Sequence, residues 1–269
     1  MAHQTILFDK REHVAIITLN RPDRLNAISA ELRAEVSAAV KDVHHDDGIR
    51  ALIVTGMGRG FCSGADLTAA ASAIRGTLPP PTTQAERLDE ERWVGRWAKM
   101  FHNLDKPVIA AVNGIAAGAG MSTALAADMR IGSEHARFKT VFIERSLSPD
   151  SGMSFFLPRI VGYARAADLI FTSRTVEAEE AYRLGLLDRL VKHDVLIEEA
   201  VRVANEMTQW PPMALRASKK VLQRNFDNGF EEAMRYETVG LGLARRAAND
   251  AREAMLAFRE KRKPKYTGS

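Results

Sequence analysis

Two short segments rich in glycine and alanine constrain this chain most: residues 60–67 (GFCSGADL) and residues 113–120 (NGIAAGAG). Each directly follows an apolar run typical of a buried β-strand, at residues 51–55 and 108–112. Because their side chains are small, the backbone of these segments can approach a ligand or another backbone closely. The sequence therefore predicts two tight turns, each at the end of a strand, that present bare main-chain N–H groups.

Such N–H groups suit one kind of chemistry. Two amides that converge on one point can hold an oxygen atom that gains negative charge during a reaction. Ala119 also stands where a helix is expected to begin, and the unpaired N–H groups of a first helical turn favour negative charge. The pattern favours an enzyme that stabilises an enolate formed from a carbonyl compound. Either segment alone also fits a tight packing turn, but that alternative explains poorly why two occur in this order.

The order of predicted elements indicates an α/β architecture. Apolar runs at residues 13–19, 51–55 and 108–112 alternate with stretches of helical spacing, and Ser29 is placed to cap one of these helices. After residue 162 helical patterns dominate. We predict helices over residues 164–171, 177–184, 196–207, 213–226 and 230–248. We divide the chain into a core of residues 1–195 and a helical region of residues 196–269.

Charge and composition exclude several classes of protein. The net charge is only +4, and basic residues are mixed with acidic ones except in residues 259–265, so no dense patch for nucleic acid is expected. The single cysteine, Cys62, excludes an intrachain disulfide and fits a reducing compartment. Residues 1–11 contain no long apolar run, and residues 107–129 predict a buried strand, turn and helix rather than a membrane span. We expect a cytoplasmic protein with no membrane or nucleic-acid partner.

The two segments, together with residues 19–26 (LNRPDRLN) and 106–114 (KPVIAAVNG), resemble the crotonase family, also called the enoyl-CoA hydratase/isomerase superfamily. The resemblance extends to residues 257–262 and so covers nearly the whole chain. It implies a spiral of repeated ββα units with C-terminal helices that build homotrimers or hexamers, as dimers of trimers. It also implies an acyl-CoA thioester as substrate, with coenzyme A as part of that substrate and no tightly bound cofactor.

Matching the family's motifs to this chain implies roles for individual residues. The two oxyanion donors are the backbone amides of Ala65 and Ala119. Asp66, which follows the first donor, fits a helix cap better than a catalytic acid. The implied groove for coenzyme A contains Arg24, Leu25, Ser63, Ala65, Asp66, Leu67, Ala119 and Lys261. A solvated surface arginine is the alternative for Arg24.

The chain departs from the hydratase pattern at two positions. Hydratases of the family hold water with two glutamates, and here Ser122 and Phe142 stand in their places. Neither side chain exchanges protons as a carboxylate does. Asp150, in the sequence LSPDSG, matches the aspartate of isomerases such as the dienoyl-CoA and epoxyphenylacetyl-CoA isomerases. Without the family comparison, Asp150 also fits a turn or cap residue, and Glu144 is a second candidate carboxylate.

Three hypotheses follow. The leading one is an isomerase that shifts a double bond of an acyl-CoA, or isomerises a ring-derived acyl group, with Asp150 carrying the proton. The others are an enoyl-CoA hydratase with unusual residues and a non-catalytic acyl-CoA-binding protein.

Residues 68–98, with three consecutive prolines at 79–81, are expected to leave the core and return in a helix bearing Trp93 and Trp97. No metal site is predicted, because no ligand cluster accompanies the histidine pair at residues 44–45.

Overall fold

The computed structural model describes residues 4–67 and 83–269. In these ranges the strands are β1 (Ile6–Arg11), β2 (Val14–Leu19), β3 (Ala51–Gly56), β4 (Gly60–Cys62), β5 (Val108–Val112), β6 (Ile115–Ala117), β7 (Met129–Ser133), β8 (Arg137–Lys139), β9 (Val176–Glu177) and β10 (Arg189–Val191). The α-helices are α1 (Ala30–His45), α2 (Gln84–Leu88), α3 (Arg92–His102), α4 (Ala119–Leu125), α5 (Met153–Val161), α6 (Tyr163–Thr172), α7 (Ala178–Leu184), α8 (Leu196–Thr208), α9 (Pro212–Asn225), α10 (Phe230–Ala244) and α11 (Ala248–Glu260). Short 3-10 helices lie at Pro22–Arg24, Ile143–Arg145 and His193–Val195.

The strands form two sheets that the chain visits in turn. The larger sheet has the order β1-β2-β3-β5-β7-β10 and is parallel except for the antiparallel pair β1 and β2. The smaller sheet has the order β4-β6-β8-β9. Strands β3, β5 and β7 of the larger sheet are each followed at once by a strand of the smaller sheet. This repeated step from one sheet to the other produces the expected spiral of ββα units.

Both faces of the larger sheet are buried, as expected for parallel strands. In β2, Ala15 and Ile17 point into the main core, which includes α1 residues such as Leu32. Val14 and Ile16 point the other way and join a second cluster with residues of α8. Helix α8, which the predicted division assigns to the C-terminal region, therefore packs directly on the sheet.

Most predicted elements are found, and the differences have a simple cause. Helices α6, α7, α8 and α9 agree with the prediction, and Ser29 Oγ accepts the Leu32 amide at 3.2 Å as the expected cap. The helix predicted over residues 230–248 ends at Ala244, and α11 begins at Ala248. Strands β1, β4, β6, β7, β8, β9 and β10 and helix α5 were not predicted. Strands of two or three residues, such as β9 and β10, are too short to show a period. The three consecutive prolines lie outside the described residues.

The apolar stretch at residues 107–129 contains the predicted strand and helix, β5 and α4, with a bend at Gly114 between them. The short strand β6 follows this bend and was not predicted. All seven residues of α4 are buried. In the part of the chain that the structure describes, no helix combines the length and the apolar character needed to cross a bilayer.

Candidate active site

The two glycine-rich segments lie in direct contact. Strand β4 pairs in parallel with β6, with Gly60 opposite Ile115. Gly64 has a φ of +95°, and a Cβ atom added there would lie 2.8 Å from the Ala117 carbonyl oxygen and 3.4 Å from the Ala119 nitrogen. At Gly120, an added Cβ would lie 2.1 Å from the Cys62 carbonyl oxygen. Only glycine permits this close backbone approach.

This approach brings the Ala119 nitrogen close to Gly64, the residue directly before Ala65. Ala65 follows Gly64, and Ala119 is the first residue of α4. Neither amide donates a hydrogen bond to another residue of the described ranges. The Ile28 amide donates to the Gly64 carbonyl at 2.8 Å and the Asp66 amide donates to the Ile28 carbonyl at 3.1 Å, which fixes the backbone on both sides of Ala65. The site thus offers two neighbouring main-chain donors without internal acceptors.

Two consecutive side-chain hydrogen bonds, which we call the relay, connect helix α4 to α3, and the sequence did not predict them. The Trp97 indole donates to Thr123 Oγ1 at 2.7 Å, and Thr123 Oγ1 donates to the Ala119 carbonyl at 2.7 Å. Trp97 is buried on α3. The relay fixes the peptide on the carbonyl side of Ala119.

Asp150 occupies a tight turn beside the same helix. The Met153 amide donates to the Asp150 carbonyl at 2.9 Å, and the intervening Ser151 and Gly152 have φ values of 52° and 87°. Two positive φ values with this hydrogen bond are typical of a type I′ turn. Ser122 Oγ on α4 also donates to the Asp150 carbonyl, at 3.2 Å. The turn therefore lies against the helix whose first amide belongs to Ala119.

The Asp150 carboxyl group is in an unusual electrostatic position. Its Oδ1 atom is buried and accepts no hydrogen bond from the described residues. Burial raises the pKa of Asp150 above the usual value, and the neighbouring Ser151 hydroxyl offsets only part of that rise. Burial has this effect because it disfavours the charged form of an acid. A carboxyl group with a raised pKa can exchange protons closer to neutral pH.

Comparison with known proteins decides the family. The sequence profile described as enoyl-CoA hydratase/isomerase matches residues 9–269. This chain belongs to that family. The expectation drawn from the two glycine-rich segments is therefore confirmed at the level of the enoyl-CoA hydratase/isomerase family.

Similar members of the enoyl-CoA hydratase/isomerase family carry names of both activities. The 1,2-epoxyphenylacetyl-CoA isomerase of Escherichia coli is 36% identical over 263 residues, which cover 98% of each chain. The crotonyl-CoA hydratase of Syntrophomonas wolfei is 32% identical over 267 residues, which cover 99% of each. Among solved structures, an enoyl-CoA hydratase from Bacillus anthracis has a TM-score of 0.89 at 30% identity, with 99% of this chain and 100% of that chain covered. Family membership alone is therefore compatible with two reactions, isomerisation and hydration.

Most of the predicted coenzyme A residues lie together. Ser63 Oγ donates to the Arg24 carbonyl at 3.3 Å, and the Ser63 amide donates to the Leu25 carbonyl at 2.9 Å. The side chains of Arg24 and Leu67 are exposed. Lys261 is also exposed and lies at the C-terminal end of α11. Among the described residues, no hydrogen bond or ion pair joins it to this group. The structure brings the N-terminal residues of the predicted groove together, but not Lys261.

Asp66 forms an ion pair that the sequence did not predict. Its carboxylate lies 2.8 Å from Arg21 Nη1, and the two side chains are only 16% and 22% exposed. Arg21 Nη1 also donates to the Ala27 carbonyl at 2.6 Å. The residues after Leu67, where the sequence predicts a helix capped by Asp66, lie outside the described residues. The ion pair connects the turn at Ala65 to the loop before α1.

The other predicted candidates do not supply a base. Ser122 is fully buried, and Phe142 is buried with an apolar side chain. Glu144 lies on the surface, where the adjacent Lys139 ammonium, 2.7 Å away, lowers the pKa of Glu144. Cys62 is fully buried, and burial raises the pKa of its thiol to about 12, so it is no nucleophile at neutral pH.

No group of three or more His, Cys, Asp or Glu side chains within residues 4–67 and 83–269 is arranged to hold a metal ion.

Proposed function

We propose that this protein is an isomerase that shifts a double bond in an acyl-CoA thioester, with Asp150 as the acid and base. The observation that carries the proposal is the buried Oδ1 of Asp150, which accepts no hydrogen bond from the described residues and lies in a turn joined to α4. The proposal also draws on the unpaired amides of Ala65 and Ala119, which would form the oxyanion hole. The similarity to a 1,2-epoxyphenylacetyl-CoA isomerase adds support.

The proposed reaction moves one proton and leaves the composition of the substrate unchanged. The thioester oxygen would accept hydrogen bonds from the Ala65 and Ala119 amides. Asp150 would remove a proton from a carbon made acidic by the thioester, and the C–H electron pair would move into a dienolate. Negative charge on the thioester oxygen is stabilised by both donors, each worth about 3 kcal/mol in comparable sites. Asp150 would then return the proton to another carbon, which places the double bond in its new position.

A hydratase with unusual residues is the second candidate, because similar proteins are named hydratases. The residues at the two water-holding positions argue against it. The Ser122 hydroxyl is already donated to the Asp150 carbonyl, and Phe142 offers no polar atom at the second position. A serine hydroxyl also does not titrate near the working pH of a general acid or base. A single carboxylate is enough for proton transfer between two carbons.

The test is to incubate the purified protein with 2-enoyl-CoA, 3-enoyl-CoA and ring-containing acyl-CoA thioesters and to identify the products by mass spectrometry. In H2O, we expect at least one substrate to give a product of unchanged mass and a different chromatographic retention time. A product that has gained the mass of water would overturn the isomerase assignment. Tight thioester binding without turnover, unchanged by Asp150→Asn, would instead identify a non-catalytic acyl-CoA-binding protein.

We also propose that Arg24 and Leu25 contact the adenosine end of coenzyme A, with the charges of Arg24 and Lys261 attracting its phosphates.

The protein is proposed to form homotrimers or hexamers through its C-terminal helices. Large apolar side chains are exposed on α10 and α11, among them Phe230, Leu241, Met255 and Phe258. Exposed apolar surface of this kind is typical of protein interfaces. Analytical ultracentrifugation tests this assembly, and a monomer at micromolar concentration would exclude it.

A further inference from the structure

The Ser122 hydroxyl connects two elements of the site. Ser122 is fully buried on α4, and its amide continues the helix by donating to the Gly118 carbonyl at 2.9 Å. Serine side chains inside helices usually face solvent or bond back to their own helix. This one donates instead to the Asp150 carbonyl, at 3.2 Å. The hydrogen bond therefore serves the Asp150 turn rather than the helix itself.

The turn needs such an anchor. Ser151 has a φ of 52°, a left-handed conformation that costs a non-glycine residue free energy. The Asp150 carboxyl oxygen Oδ1 has no hydrogen-bond partner among the described residues that could fix it from the side-chain end. Apart from the Ser151 hydroxyl, which favours the charged carboxylate, the carboxyl group is positioned by the backbone of the turn, which is held by the Met153 amide and by Ser122.

Ser122 and Ala119 are on the same helix, three residues apart in the chain. With a rise of about 1.5 Å per residue, they are separated by about 4.5 Å along the helix axis. A single rigid element thus fixes both the Ala119 amide and the backbone of Asp150. The distance between a proton-carrying group and an oxyanion donor strongly affects catalytic rate.

We propose that Ser122 is a positioning residue, whose hydroxyl holds the Asp150 turn at a fixed distance from the Ala119 amide. This inference rests on the proposed function of Asp150 as acid and base. It assigns a new use to a helix position where hydratases of the family carry a glutamate. Ser122 acts through Asp150 and does not touch the reacting carbons.

The test compares Ser122→Ala with Ser133→Ala. Ser133 is an equally buried serine, and its Oγ also donates to a backbone carbonyl at 3.2 Å, that of Asn113. We expect Ser122→Ala to lower kcat about tenfold to a hundredfold. KM should change less than about twofold, since no group that binds the thioester is removed. Ser133→Ala should leave kcat within about twofold of the wild type. Because Ser133 Oγ also accepts the His135 amide, this variant should lower the melting temperature at least as much as Ser122→Ala.

The outcomes separate this inference from the proposed function. A Ser122→Ala variant with wild-type kcat, with a raised KM alone, or with a loss that Ser133→Ala reproduces would overturn the positioning role. Asp150→Asn is measured in parallel. If Asp150→Asn abolishes isomerisation while Ser122→Ala does not reduce it, only the positioning role fails. If Asp150→Asn isomerises at the wild-type rate, the proposed function itself fails.

Discussion

Two aspartates, Asp66 and Asp150, adjoin the two segments of the site but have opposite surroundings: Asp66 follows Ala65 in the chain, and the Asp150 carbonyl is bonded to Ser122 on α4. Asp66 is paired with Arg21 at 2.8 Å, in a contact that is mostly shielded from solvent. Asp150 has a buried Oδ1 atom that no described group contacts by a hydrogen bond, and burial raises its pKa. The two residues have the same chemistry and differ only in what surrounds their carboxyl groups.

The difference separates a carboxylate that stabilises the fold from one that we propose to react. A cation beside a carboxylate favours the charged form and holds two parts of the chain together. In a partly buried carboxyl group such as that of Asp150, burial outweighs the Ser151 hydroxyl and favours the neutral form, so the folded pKa lies above the unfolded pKa. The sign for stability follows: ionisation of Asp150 above its folded pKa lowers the free energy of unfolding. Functional groups commonly carry such a cost in stability.

Among the substitutions that test this comparison, replacement of Asp150 should have the largest effect on activity. Asp150→Asn removes the base but keeps the shape, so kcat for isomerisation should fall about a thousandfold. The same variant should have a higher melting temperature at pH 7 to 8, because the cost of the buried charge is gone. Steady-state kinetics and thermal unfolding measure the two quantities. Glu144→Gln is the matched control, since Glu144 is exposed and paired with Lys139, and it should leave kcat nearly unchanged.

A substitution that forces the two glycine-rich segments apart should have the next largest effect on activity. Gly64→Ala would place a Cβ atom 2.8 Å from the Ala117 carbonyl oxygen and 3.4 Å from the Ala119 nitrogen. We expect kcat to fall about a hundredfold, because the donors would be pushed apart. Gly162→Ala controls for backbone strain alone, since Gly162 has a φ of +83° with nothing within 4 Å of an added Cβ. Equal losses of activity in the two variants would argue against an oxyanion hole at Ala65 and Ala119.

The pH dependence of activity tests the raised pKa of Asp150. A base works in its deprotonated form, so activity is present above the folded pKa and is lost as the pH falls through it. The acid limb of kcat/KM should therefore lie above about 3.9, the ordinary pKa of aspartate, with a loss of about tenfold per pH unit below it. Asp150→Asn should remove this limb from the residual activity. An acid limb at or below the ordinary value would show that Asp150 is not the base.

The sequence predicted the backbone of the site better than its side-chain contacts. The small residues around Gly64 and Gly118 follow apolar strands, and that local pattern was enough to predict two turns and the start of α4. The ion pair of Asp66 could not be predicted, because Arg21 lies far earlier in the chain and either residue alone reads as a surface group. The bond from Ser122 to the Asp150 carbonyl joins two segments in the same way. Such contacts depend on tertiary packing, which hydrophobic period and spacing do not encode.

Replacement of Asp66 should have the smallest effect on catalysis and a clear effect on stability. Asp66→Asn leaves Arg21 with the Ala27 carbonyl as an acceptor but without a carboxylate, which should lower the free energy of unfolding by about 2 kcal/mol. We expect kcat to stay within about threefold of the wild type, measured beside chemical denaturation. Asp9→Asn serves as the control, because the Asp9–Arg11 pair is more than half exposed and should contribute less than about 1 kcal/mol. If Asp66→Asn instead stopped isomerisation without loss of stability, Asp66 rather than Asp150 would be the acid and base, and the roles of the two aspartates would be reversed.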